Sequence, residues 1–371
     1  VLQGVRPLSQ QLELAALGGL VLVAALIRLP YLWSIPQFTD ETADSLRSFS
    51  FYQGQRFPLH NVSDYVGGLY NWLEAGGFVI LGANIYTPRL LACILGAVAL
   101  ATTYLLAREM ISGPAAWLAV ALMATSAVHI GGNSHIAWSQ ETTPLFLALA
   151  LGLLYRAVRR HSGPSLLGAG FVFGLTLQTH PTAVVFLLGA AAYFLWKGRS
   201  LLRTRWPYLA AGLFLVAYSN MIVYNISSGF QSLKTARSRD AGYSEYRSRD
   251  LSSYLAKEGH IVLTLLRMPG GAVDARSDAT AYLADPQVLG YAGFTVAGVV
   301  MLARAGNPLP ALTILGALLI LPLFGARHDI LPRQGRYLAP LLPILFTALA
   351  AAAWSAAQAI NHALVARGLT G

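Results

Sequence analysis

The run LAALGGLVLVAALIRLPYLW, residues 14–33, is followed almost at once by PQFTDETADSLRS, residues 36–48. About 20 apolar residues in a helix rise about 30 Å, the thickness of a bilayer's hydrocarbon core, so the first stretch reads as a membrane crossing. The second stretch puts Asp40, Glu41 and Asp44 where the chain leaves the lipid. Charged groups at that depth are costly unless they pair, face water or do chemistry. The rest of the sequence has to say which.

Composition settles the class. Of 371 residues 55% are hydrophobic and only 11% charged, against about 25% charged in an ordinary soluble domain. The chain reads as an all-α polytopic membrane protein. Further apolar runs at 86–107, 114–131, 143–157, 164–179, 182–196, 207–224, 286–303, 309–324 and 337–357 bring the expectation to about ten transmembrane helices. No small-residue cleavage site follows the first run, which is read as a retained helix. The single cysteine, Cys93, lies inside an apolar run and excludes a disulfide framework or a cysteine metal cluster.

Charge placement gives an orientation. With a cytoplasmic N-terminus, the inner segments carry Arg6, Arg108, Arg156, Arg159, Arg160, Lys197, Arg199, Arg203, Arg205, Arg304 and Arg367 against only Glu13 and Glu109. Basic residues concentrate in short cytoplasmic loops, so both termini are expected in the cytoplasm. Basic loops beside anionic membrane lipids account for the net charge of +10, and no nucleic acid is needed. Three parts follow: a transmembrane module over 1–224 with a first outer loop at 34–85, an outer segment at 225–285 covering the site, and C-terminal helices over 286–371. The patch LYNWLEAGGFVILG, 69–82, has the mixed helical spacing of a helix lying in the outer interface.

The polar residues converge on the outer side. Asp40 and Glu41 fit the start of a short helix, where they would either cap it, with Thr39, or serve as general base and substrate orienter. HIGGNSHIAWSQETTP, 129–144, brings His135, Trp138, Gln140 and Glu141 to the second outer turn, and QTHPT, 178–182, brings His180 to the third. A histidine at a helix end is more often hydrogen-bonded structure than a ligand, but all of these reach one face. FGARHDILPRQGRYLAPLLP, 324–343, adds Arg327, Arg333 and Arg336, whose forked donors suit a lipid phosphate as well as a pairing with Asp329. Asp40, Glu141 and a histidine are residue types that take a divalent metal. No spacing of the HExxH kind supports one, and no cofactor is expected. KTARSRDAGYSEYRSRD, 234–250, reads as a solvated cover over the site. Asn61-Val-Ser and Asn225-Ile-Ser match glycosylation sequons.

In order along the chain stand LIRLPYL, FTDETADSLR, TPRLLACILGAVALATTYLLARE, SAVHIGGNSHIAWSQETTPLFLALALGLLYRA, GLTLQTHPTAVVFLL and GRYLAPLLPILFTAL. This series resembles the GT-C membrane glycosyltransferases, in the branch of the protein O-mannosyltransferases and the aminoarabinose transferases of lipid A. The resemblance implies a GT-C-like fold in the cell membrane with its active site on the extracytoplasmic side. It implies transfer of a hexose or pentose from a polyprenyl-phosphate sugar to an acceptor glycan, lipid or protein, generally with inversion. It makes Asp40 and Glu41 catalytic and gives Arg89, Arg336 and Tyr337 to the donor phosphate; the convergence of outer segments adds Arg333 to that phosphate and places His180, Glu141 and His135 near the substrate. Two departures stand out. Relatives carry Lys-Pro-Pro before the interfacial helix, where this chain reads DYVGGLYNWLE, and Thr-Lys-Pro where it has Thr179, His180 and Pro181. A catalytically silent scaffold that binds lipid or a membrane-complex partner is the alternative. A transporter would want ionisable groups at mid-membrane, and the apolar runs hold almost none.

Overall fold

Proline fixes where many of these helices begin. It lacks an N–H that the first helical turn would leave unpaired anyway, and its φ is already helical. Eight helices carry it there: Pro88, Pro114, Pro144, Pro164, Pro207, Pro286, Pro310 and Pro343. Others open on side-chain caps, as where Ser9 accepts from the N–H of Leu12 and Asp250 from that of Ser253.

The computed structural model describes residues 9–30, 32–33, 39–55, 57–242, 248–270, 285–323 and 337–367. They form α1 (Gln10–Arg28), α2 (Thr39–Tyr52), α3 (Leu69–Leu81), α4 (Thr87–Met110), α5 (Gly113–Ala124) and α6 (Ala127–His135). After a 3-10 turn at Ser139–Thr142 come α7 (Thr143–Arg160), α8 (Gly163–Thr179), α9 (Val184–Lys197), α10 (Trp206–Ala217) and α11 (Ser219–Ser227). The chain continues with α12 (Gln231–Gly242), α13 (Leu251–Arg267), α14 (Pro286–Arg304), α15 (Leu309–Ile320) and α16 (Leu342–Ala366). α4 is the hub, packed on α1, α5, α6 and α7, while α7 leads through α8 to α10 and α16 packs on α5 and α14. The core lies between these helices, around Leu100, Leu106, Val120, Met123, Leu147, Leu151, Phe186 and Phe346.

The described residues are nearly all helical, and helices stand at each of the ten expected places. Their lengths differ from ten full crossings. Among the described residues five helices are long and apolar enough to cross a membrane, at Gln11–Arg28, Thr87–Met110, Ser139–Arg160, Pro286–Arg304 and Ala339–Ala366. The α10–α11 pair, bent by 62°, adds a sixth only if it is counted as one span. The expected 114–131 span is broken at Thr125 and Ser126 into α5 and α6. A helix of α5's length rises only about 18 Å, well short of the hydrocarbon core. Hydropathy counts apolar residues along the chain and does not register a bend between them.

Close approach between helices is made by glycine. A Cβ on Gly298 of α14 would land on the carbonyl oxygen of Ala348 in α16, and one on Gly174 of α8 would stand 2.6 Å from the carbonyl oxygen of Phe214. Small residues at such crossings let backbones meet where lipid offers no hydrophobic driving force. Replacing Gly298 by Ala should therefore cost about 1–3 kcal/mol in overpacking and lower the thermal midpoint of the detergent-solubilised protein. Gly290→Ala on the same helix, where nothing lies within 4 Å, should leave the midpoint unchanged.

Candidate active site

The helix α2 divides the acidic residues of the opening stretch between two of its faces. It begins at Thr39, so Asp40 and Glu41 fall in its first turn, where the helix dipole favours negative charge. Glu41 turns inward. Its Oε1 accepts from Nε of Arg89 at 2.7 Å and its Oε2 from Nη2 at 3.1 Å, both side chains being 2% exposed. Nη1 of Arg89 donates to the carbonyl of Leu32 at 2.6 Å, and the N–H of Ala137 donates to Oε1 of Glu41 at 3.2 Å. One bidentate pair thus fastens α2, α4, the exit of α1 and the approach to α7. Arg89, which the family resemblance gives to the donor phosphate, is here engaged by Glu41 and the Leu32 carbonyl.

Asp40 and Asp44, one turn apart, share the other face. Both line a cavity of about 620 Å³ together with Asn61, Tyr65, Trp138, Gln140, His180 and Tyr337, and with Arg237, Arg239 and Asp240 of α12. Asp40 is exposed and Asp44 is buried. Nδ2 of Asn61 donates to Oδ2 of Asp44 at 2.9 Å. Burial pushes the Asp44 carboxyl up to about 7 and the neighbouring Asp40 charge adds to the rise, while hydrogen bonds from Asn61 and the Ser139 backbone and the Arg47 charge oppose it. Behind it, Glu74 of α3 accepts from the Ser45 hydroxyl at 2.7 Å. Its carboxyl is also raised to about 7, chiefly by burial.

The histidines separate as well. Nδ1 of His180 lies 3.2 Å from the N–H of Thr182 and accepts from it, which leaves the ring proton on Nε2. The ring stands 5.5 Å from that of Tyr337 and 6.4 Å from that of Tyr65, at the cavity wall. His135 is held away from the cavity, between the carbonyl oxygens of Ile130 at 2.7 Å and Pro30 at 3.3 Å. Glu141 is buried beside Gly132 and is not among the cavity's lining residues. Arg327, Arg333 and Arg336 lie outside the described residues. Among the described residues no group of three or more His, Cys, Asp or Glu side chains is arranged to hold a metal ion.

Sequence reasoning missed Asp44, Asn61, Arg237 and Arg239 as site residues. The signal for Asp44 was present, since i and i+4 share a helix face. Asn61 was legible only as a sequon, and it is 2% exposed with both ends of its amide bonded, to Asp44 and to the N–H of Val62. The arginines of α12 come from a segment whose alternating charge reads as surface.

Known proteins share this architecture. ArnT from Cupriavidus metallidurans, solved bound to undecaprenyl phosphate, matches over 97% of this chain and 64% of its own length at a TM-score of 0.63 and 15% identity. The archaeal oligosaccharyltransferase AglB from Archaeoglobus fulgidus, in complex with an inhibitory peptide and a dolichol-phosphate, matches over 97% of this chain and 52% of its own length at a TM-score of 0.57 and 15% identity. The chain has the GT-C fold. The dolichyl-phosphate-mannose-protein mannosyltransferase family model matches residues 68–224, less than half of the chain. No curated protein sequence matches it. The chain spans about half to two thirds of the length of these GT-C structures.

Two predictions separate the carboxylates. Removing either member of a buried ion pair strands its partner at a cost of about 3–5 kcal/mol. Glu41→Ala or Arg89→Ala should therefore sharply lower the yield of folded protein, with Glu41→Ala/Arg89→Leu recovering part of it, while Asp40→Asn leaves yield and thermal midpoint intact. Asp44 is raised in the folded chain, so its stabilising contribution is complete below the unfolded value of 3.8 and is lost as pH rises toward about 7. Asp44→Asn, which cannot ionise, should gain on the wild-type thermal midpoint between those pH values, with a constant difference above them.

Proposed function

We propose that this chain transfers a sugar from a polyprenyl-phosphate-linked donor to an acceptor at the extracytoplasmic face of the cell membrane, with inversion at the anomeric carbon. One observation carries the reading: two of the three carboxylates of α2, Asp40 and Asp44, share one cavity with Arg237, Arg239, His180 and Tyr337. One cavity thus holds candidate groups for a proton acceptor and for a phosphate. The GT-C fold supports it, since ArnT and AglB were solved with a polyprenyl phosphate and a dolichol-phosphate.

Sidedness follows from charge. The C-terminal ends of α4 and α7 gather Arg108, Arg156, Arg159 and Arg160 around Glu13 and Glu109, away from the helix ends that line the cavity. Clustered arginines mark the cytoplasmic side, so the cavity opens to the outside, where lipid-linked sugars rather than nucleotide sugars are the available donors.

In the reaction, Asp40 takes the proton of an acceptor hydroxyl or amine as that atom attacks the anomeric carbon. The bond to the phosphate oxygen breaks on the opposite face, so a single displacement inverts the centre. The leaving polyprenyl phosphate gains charge, which Arg237 and Arg239 neutralise while the Nε2–H of His180 and the Tyr337 hydroxyl donate to it. These groups take over from the lysines present in relatives of the family it resembles.

The test uses the full chain in lipid nanodiscs with radiolabelled undecaprenyl-phosphate sugars. Asp40→Asn should lower transfer by about 10²–10⁴-fold while leaving lipid binding unchanged; undiminished transfer removes Asp40 as base. Arg237→Ala/Arg239→Ala should weaken binding of bare undecaprenyl phosphate by about 10-fold or more. A wild type that binds the lipid and transfers nothing to any acceptor is the silent scaffold instead.

A further inference from the structure

The short turn Ser139–Thr142 forms part of the cavity wall, and its side chains are committed to their surroundings with one exception. The Ser139 hydroxyl donates to the carbonyl of Thr179 at 2.9 Å and the Thr142 hydroxyl to that of Ser139 at 2.7 Å. The next residue, Thr143, bonds the carbonyl of Gln140 at 2.7 Å and the Thr179 hydroxyl at 2.8 Å. Gln140 stands among them 3% exposed, and among the described residues neither its Oε1 nor its Nε2 has a hydrogen-bond partner. Buried carboxamides are nearly always satisfied at both ends, because leaving either bare forfeits its bonds to water. This one lines the cavity of Asp40 and Asp44, and no hydrogen bond holds its head where it lies.

We infer that Gln140 is a specificity-determining residue that reads a pair of hydroxyls on the donor sugar, turning its carboxamide from the wall into the cavity when the sugar enters. The inference rests on the lipid-linked donor reading above. A primary amide presents an acceptor and a donor side by side, which matches two adjacent hydroxyls, each able to give and to take a hydrogen bond. The neighbouring wall fits the same ligand. Trp138, Tyr65 and Tyr337 line the cavity and offer apolar faces to the C–H side of a pyranose ring. The Asp40 carboxylate repels an acidic sugar, and the buried Asp44 carboxyl can bond a further hydroxyl whether or not it is ionised. The chemical class is a neutral pyranose with vicinal hydroxyls.

Selectivity between sugars is the readout that a purely structural glutamine would not move. The full chain in nanodiscs is titrated with bare undecaprenyl phosphate and with undecaprenyl-phosphate mannose, glucose, galactose and galacturonate. The wild type should bind at least one neutral sugar lipid about 10-fold or more tighter than the bare lipid, and the galacturonate lipid no better than the bare one. Gln140→Leu, similar in volume and unable to hydrogen-bond, should shrink that preference to about 2-fold and leave bare-lipid binding unchanged, since a site built for a hydroxyl loses most of its discrimination with the bond. Gln140→Glu, which keeps the acceptor and loses the donor, should fall between the two and serves in its place if the leucine variant does not fold. An unchanged preference in these variants, equal losses for bare and sugar-charged lipid, or a wild type that prefers the galacturonate lipid overturns the inference. A wild type that binds none of the five lipids overturns the donor reading itself, whereas one that binds bare and charged lipid alike overturns only the role of Gln140.

Discussion

The buried pair of Glu41 and Arg89 is the constraint on which the site depends. Two opposite charges taken out of water are tolerable only when their remaining bonding capacity is met, and here Leu32 and Ala137 meet it from two further parts of the chain. A site assembled from helix ends needs its parts held in register, and this knot joins α2 to α4 and to the approach to α7. Because Glu41 is fixed facing inward, the helical repeat leaves Asp40 and Asp44 facing the cavity. The acidic dipeptide is therefore split between a buried ion pair and the cavity lining.

Burial then grades the remaining carboxylates. Asp40 is exposed, Asp44 is buried in the cavity wall, and Glu74 lies behind it against Ser45. Each step inward raises the cost of ionisation, which is why the two inner groups are raised to about 7. Asp40 at the mouth keeps its access to water, while burial favours the neutral forms of the two inner acids. Asn61 belongs to this arrangement, since its amide is spent on Asp44 and on its own turn rather than on solvent.

Around the site, the helices follow the membrane's rules. Glycines at the α14–α16 and α8–α10 crossings bring backbones together, while α1 turns Leu22, Val23, Leu26 and Ile27 outward to where lipid would cover them. The broken pairs α5–α6 and α10–α11 interrupt what would otherwise be full crossings. Such breaks leave backbone groups to be satisfied by side chains: Ser126 caps α6, and at the cavity end of α8 the amide of Gln178 donates to the carbonyl of Ala217.

The sequence alone determined the all-helical membrane class, the positions of the apolar helices and the gathering of Asp40, Trp138, Gln140, His180 and Tyr337 toward one end of the bundle. Those properties are local or periodic: hydropathy, proline at helix starts, and the alternation of charge between loops. Tertiary structure decided which acidic residue would be buried with an arginine, that His135 would be locked between carbonyls, and that Asn61 would support Asp44. It also decided that a charged surface helix would carry Arg237 and Arg239 to the cavity wall. These depend on contacts between residues far apart in the chain, such as Glu41 with Arg89 or Asp64 with Thr235. No spacing or composition records such a contact, because the energy of a buried charge is set by what surrounds it in space.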